Sequence, residues 1–186
     1  MTMTTADKAA KPSVKSNSAG TTELMLLPPQ WVIEFINTES DCADSHAYEK
    51  WESLWAVDEG TYWVCGPGQC DDPKLALKQV SLLLDNRARI GSRMRQLRTN
   101  RRVSQLPVSS LSRVVSNYRL AEDSDPAVVA CWVNFQLAEY RTEQETYWAG
   151  RILYRLRETP AGPRMIEKRV VLFNRSGLIS TFTFIL

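Results

Sequence analysis

Between Val128 and Arg157 the chain twice alternates apolar and polar residues with a period of two, and this pair of long runs constrains the fold more than any other feature. Cys131, Val133, Phe135 and Leu137 share one face of the first run. Trp148, Ile152, Tyr154 and Leu156 share one face of the second, opposite Arg151 and Arg155. Successive side chains of a strand point to opposite faces, so each run predicts a strand with one buried side. Thr142-Glu143-Gln144-Glu145 lies between them and predicts a hairpin connection. Arg113–Leu120 predicts a strand before this pair. Met165–Phe173 predicts another after the turn Pro160-Ala161-Gly162-Pro163. Ile179–Leu186 predicts a last one, with Phe182, Phe184 and Leu186 on one face.

The first half has helical spacing instead. Trp31, Val32, Phe35 and Ile36 mark one face of a helix opened by Pro28-Pro29. A polar gap follows, Asn37 to Asp41. Asp44 or Ser45 then predicts the N-cap of a second helix, with Tyr48, Trp51, Leu54 and Trp55 on one core-facing stripe. Thr61–Cys65 is a short β-rich run ending in Gly66-Pro67-Gly68. Residues 73–98 predict a helix with Leu77, Val80, Leu84, Ile90, Met94 and Leu97 as its apolar positions. Helices first and an antiparallel meander second argue an α+β fold, with helices packed on one face of a curved sheet. Residues 1–25 carry almost no large apolar side chain, which predicts a tail that is disordered or ordered only by a partner chain. Residues 26–186 are long enough for a single domain with its own core.

Composition narrows the function by exclusion. The net charge is +2, so the field of the whole molecule does not argue for nucleic acid or membrane. No apolar run approaches the roughly 20 residues needed to span a bilayer, and the N-terminus does not read as a signal peptide. Four cysteines (Cys42, Cys65, Cys70 and Cys131) are too sparse for a disulfide scaffold, which predicts reduced thiols and a cytoplasmic protein. There is one histidine, His46. With Asp41 or Asp44 as orienter it is a candidate general base; otherwise it is an exposed helix-start residue beside no evident nucleophile. A mononuclear iron site takes two histidines and a carboxylate, which one histidine cannot supply. Cys65 and Cys70 form one close pair with no second pair, so a zinc site is not indicated. No glycine-rich loop has nucleotide-binding spacing.

The one unusual charge feature is the crowding of Arg87, Arg89, Arg93, Arg95, Arg98, Arg101 and Arg102. It reads as a nucleic-acid footprint, as an interface pairing with carboxylates of another chain, or as a solvated helix face. The absence of interleaved aromatics speaks against single-stranded nucleic acid.

These segments resemble the small (β) subunits of aromatic-ring-hydroxylating dioxygenases, the Rieske non-haem iron oxygenases. Asp44-Ser45-His46-Ala47-Tyr48-Glu49-Lys50-Trp51 resembles that family's early Asp-x-x-x-Tyr-x-x-Trp helix. Arg113-Val114-Val115-Ser116-Asn117 resembles its strand ending in Val-Ser-Asn. Tyr140-Arg141, Ala149-Gly150-Arg151 and Leu156-Arg157 match its long central hairpin, and Lys168-Arg169-Val170-Val171-Leu172 its Lys-Arg strand. The chain departs before the Val-Ser-Asn strand, where Ser110 and Ser112 stand in place of two arginines common in the family.

The resemblance implies a nuclear-transport-factor-2-like cone, a strongly curved antiparallel sheet with N-terminal helices packed across it. It implies a non-catalytic structural subunit assembled with a large (α) subunit, three of each, with small subunits also touching one another. The large subunit would carry the Rieske 2Fe-2S cluster and the mononuclear iron, and a separate reductase would use NAD(P)H. Neither nucleic acid nor membrane is an expected partner. Candidate subunit contacts are Arg87, Arg93, Arg95, Arg98, Arg113, Asn117, Arg151 and Arg169. The alternative is a free-standing isomerase or dehydratase of the same cone fold, with a pocket formed by His46, Asp44, Trp51 and Trp63.

Overall fold

A computed structural model describes residues 27–66, 81–99, 106–173 and 182–186. The predicted tail, Cys70, Arg101 and Arg102 lie outside these residues, as does the 73–80 part of the predicted third helix. The elements run α1 (Gln30–Asp44), α2 (Tyr48–Ser53), β1 (Thr61–Val64), β2 (Leu83–Asn86), α3 (Arg87–Arg98), β3 (Ser110–Ala121), β4 (Val128–Arg141), β5 (Gln144–Arg157) and β6 (Arg164–Leu172). The sheet order is β2-β1-β6-β5-β4-β3, and the sheet curls without closing. Its pairings are antiparallel except β1 with β6, which is parallel.

The period-two runs become β4 and β5, paired from Val128 with Arg157 to Arg141 with Gln144. Their connection is tighter than the predicted four residues. Thr142 and Glu143 alone make the turn, both with positive φ (48° and 61°), the backbone sense that matches the twist of a two-residue hairpin. The inward faces are as read: Cys131, Val133, Phe135, Leu137, Ile152, Tyr154 and Leu156 are buried. They pack against Val32, Phe35 and Ile36 of α1 and against Trp51 and Trp55, which form the core with them.

Three local expectations are corrected. First, α1 does not stop at the polar gap but runs through it to Asp44, because Glu39, Ser40, Cys42 and Ala43 continue its buried face. Asp44 therefore caps nothing. The N-cap of α2 is Ala47, and Asp44 turns its carboxylate to Arg113. Second, residues 83–86 are a strand and not helix. Leu83 and Asp85 face inward while the segment pairs with β1, and the Asn86 side chain then caps α3 by accepting from Arg89 N at 3.0 Å. Third, residues 182–186 are no strand, although Phe184, Ile185 and Leu186 are buried in the core.

Candidate assembly surface and cone interior

The interior holds an ion pair that the sequence reading did not single out. Glu39 on α1 and Lys168 on β6 are both fully buried, and Lys168 Nζ donates to Glu39 Oε1 at 2.6 Å. Tyr154 donates its hydroxyl to Glu39 Oε2 at 2.7 Å, and the Trp51 indole N–H donates to Oε1. The Lys168 ammonium also lies 5.6–5.9 Å from the ring centres of Trp51, Tyr62 and Tyr154. Burial alone would raise the Glu39 carboxyl, but the Lys168 and Arg113 charges outweigh it and hold the group below its ordinary value. Burial pulls Lys168 down to about 8, against the pull of Glu39. The pair is thus ionised at neutral pH, enclosed and hydrogen-bonded. Glu39 was hidden in the polar gap of α1, and Lys168 inside an apolar strand run. A charged residue within each buried pattern is the signal that would have found them.

A second buried charge lies nearby. Arg113 on β3 is a predicted subunit contact, yet its side chain is 0% exposed. It donates to Asp44 Oδ1 at 2.9 Å and to the Ile185 carbonyl at 2.8 Å, so it serves this chain's own interior. Asp44 is thereby committed to Arg113 and not to His46. His46 sits in the left-handed region (φ 57°) in the connection between α1 and α2. Its Nε2 donates to the Ser109 carbonyl at 2.8 Å, and its Nδ1 accepts from the Tyr48 hydroxyl at 2.8 Å. A carbonyl only accepts, so the proton sits on Nε2 and both ring nitrogens tie α2 to the start of β3. Trp63 does not join Trp51. It lies on the opposite sheet face with Cys65 and Val171, beneath the Arg169 guanidinium at 4.9 Å. His46, Asp44, Trp51 and Trp63 therefore do not make one pocket. His46→Ala is expected to lower folding stability by about 1–2 kcal/mol while leaving the turnover of folded, assembled complex unchanged. Urea melts and steady-state rates check the two halves.

The arginines of α3 are mostly held by this chain. Arg93 pairs with Asp85 at 2.6 Å, and Arg87 and Arg98 both reach Glu52. Arg95 stays exposed, touching Ser92 Oγ at 2.9 Å. The two pairs to Glu52 are partly open to solvent, and solvent-screened pairs contribute little, typically below about 1 kcal/mol.

The outer face of the sheet differs from the α3 surface. Its groove across β3, β4, β5 and β6 is lined by Val114, Asn117, Asn134, Gln136, Arg151 and Phe173, among others. Two predicted contact residues, Asn117 and Arg151, thus meet on one surface. Asn117 has φ 55° at the irregularity between Ser116 and Arg119, and Arg151 lies 5.2 Å above the Trp132 ring. Val114 and Phe173 are 64% and 86% exposed on the same surface. An open groove that sets large exposed apolar side chains beside amides and an arginine is chemistry suited to another protein surface.

The ring hydroxylating beta subunit family matches residues 38–176, which includes every element from α2 to β6. The chain belongs to this family of oxygenase small subunits. The toluate 1,2-dioxygenase subunit beta of Pseudomonas putida is 27% identical over 81% of this chain and 93% of its own length. The 2-halobenzoate 1,2-dioxygenase small subunit of Burkholderia cepacia is 25% identical over 77% and 87%. Among solved structures, the beta subunit of benzoate 1,2-dioxygenase from Burkholderia mallei superposes with a TM-score of 0.63 at 22% identity, covering 77% of this chain and 89% of that one. An NTF2-like protein from Novosphingobium aromaticivorans superposes with a TM-score of 0.54 at 17% identity, covering 79% of this chain and 82% of that one, so this chain has the NTF2-like fold.

Proposed function

We propose that the chain is a structural subunit of a multicomponent oxygenase that hydroxylates an aromatic ring, and that the outer sheet face is where it meets other subunits. The observation that carries the reading is the commitment of its interior: Glu39, Lys168, Asp44, Arg113 and His46 are each bonded within the chain, while Val114, Arg151 and Phe173 face outward on one groove. In this reading the large subunit carries the Rieske cluster and the mononuclear iron, which one histidine could not ligate here. Three large and three small subunits form the complex, electrons arrive from NAD(P)H through a reductase, and the assembly works in the cytoplasm. No helix among the described residues is long and apolar enough to cross a membrane. Benzoates are the first ring substrates to test, since both sequence relatives are named for them.

Co-expression with the large subunit tests the proposal. The tagged chain is expected to retain an iron–sulfur protein through size-exclusion chromatography. Val114→Asp and Arg151→Glu are each expected to weaken that retention tenfold or more, since the first sets a new charge in the groove and the second reverses one at its wall. A chain that stays monomeric beside a soluble large subunit would overturn the reading.

A further inference from the structure

Residues 182–186 sit in the cone like a bound peptide and not like a strand. No sheet pairing holds them. Their backbone is recognised by side chains of other elements. The Tyr62 hydroxyl on β1 accepts from Leu186 N at 3.0 Å and donates to Leu186 O at 3.3 Å. Arg113 Nη2 on β3 donates to the Ile185 carbonyl at 2.8 Å. Arg113 Nη1 is buried beside these contacts with no hydrogen-bond partner among the described residues, a spare donor on the same guanidinium. Trp148 on β5 meets both Phe182 and Phe184 edge-on, at ring-centre distances of 6.1 and 5.9 Å. Phe184, Ile185 and Leu186 are at most 4% exposed.

The slot therefore has the parts of a peptide site: an amide-and-carbonyl clamp, a second carbonyl donor and an aromatic wall. Each part belongs to the sheet, on β1, β3 and β5, and none to the segment that fills it. We propose that the cone interior is a binding site for a short apolar peptide, filled in cis by residues 182–186, and that it accepts the same segment in trans. The inference is independent of the assembly reading, because the slot faces the interior and not the outer groove.

The test uses the full chain, a variant lacking residues 182–186, full-length Phe184→Ala, and a synthetic peptide of sequence Phe-Thr-Phe-Ile-Leu. Trp148 is the reporter for fluorescence, and melting temperature is the second readout. The shortened variant is expected to melt at least about 5 °C lower. Peptide should restore most of that loss, with a saturable fluorescence change. Adding Tyr62→Phe to the shortened variant should weaken peptide binding at least fivefold, and the unaltered chain should not respond. Should the shortened variant fail to fold, refolding it with peptide is expected to recover a cooperative melt, and Phe184→Ala should gain stability from added peptide. A shortened variant that melts like the parent overturns the proposal. So does one that ignores the peptide while Phe184→Ala ignores it too, or an unaltered chain that binds the peptide equally well.

Discussion

Replacing Lys168 by methionine is expected to destabilise the fold by about 3–5 kcal/mol, the usual loss when one partner of a buried ion pair is removed. Methionine is close to lysine in length, so the change is electrostatic more than steric. It leaves the Glu39 carboxylate enclosed among Trp51, Tyr154 and apolar neighbours, with its ammonium partner gone. The double variant Glu39→Gln with Lys168→Met should recover more than half of the loss. Glutamine carries no charge, keeps its carbonyl oxygen as acceptor for the Trp51 indole, and turns its amide N–H to donate to the Tyr154 hydroxyl. Urea titration of the four members of the cycle gives the coupling directly. A Lys168→Met chain within about 1 kcal/mol of the parent would sink the account, given that typical surface changes reach about 0.5 kcal/mol. Acid supplies an independent check. A carboxyl held below its ordinary value of 4.5 contributes stability that is fully present above that pH and is lost as pH falls through the folded-state value. The stability gap between the parent and Glu39→Gln is therefore expected to close on acidification below pH 4.5, and to stay flat from there towards neutrality.

The sheet was legible because its signal is local. The alternation of β4 and β5 gave their faces residue by residue, and the same parity put Arg151 on the outer side. The helices were less legible where two demands met in one residue. Asn37–Asp41 looked like a break because five polar side chains in a row seldom continue a buried face, yet Glu39 does so by finding Lys168 from a strand 129 residues away. Leu84 fitted a helical stripe, but a four-residue strand has too few residues to display its own period, and pairing with β1 decided the matter. The same limit explains Arg113. Its position in a predicted strand was right, but whether that strand face pointed inward depended on Asp44 and Ile185, neither of which is near it in sequence. Charged residues at interior positions need partners from distant elements, and a single sequence does not say which ones they are.

Gly150 provides the second large effect. Placing alanine there should cost about 3 kcal/mol, at the upper end of what overpacking usually costs. In the β5–β6 pairing Gly150 stands opposite Leu172. A Cβ on Gly150 would stand far inside contact distance of the Val171 carbonyl oxygen and 3.0 Å from Leu172 Cα. Both obstacles are backbone, so no side-chain rotation relieves them. The strands would have to part where the Phe173 amide also bonds to the Ala149 carbonyl at 2.7 Å. Gly150 lines the outer groove as well, so the movement would reshape the surface that carries Val114 and Arg151. Ala149→Ser is the control. It alters the neighbouring exposed position without adding an atom between the strands, and it should change stability by no more than about 0.5 kcal/mol. Gly150→Ala is expected to lose the large subunit at temperatures where the chain alone is still folded, while the parent retains it. If Gly150→Ala melts and assembles like the parent, the close approach of β5 and β6 is not what fixes this surface.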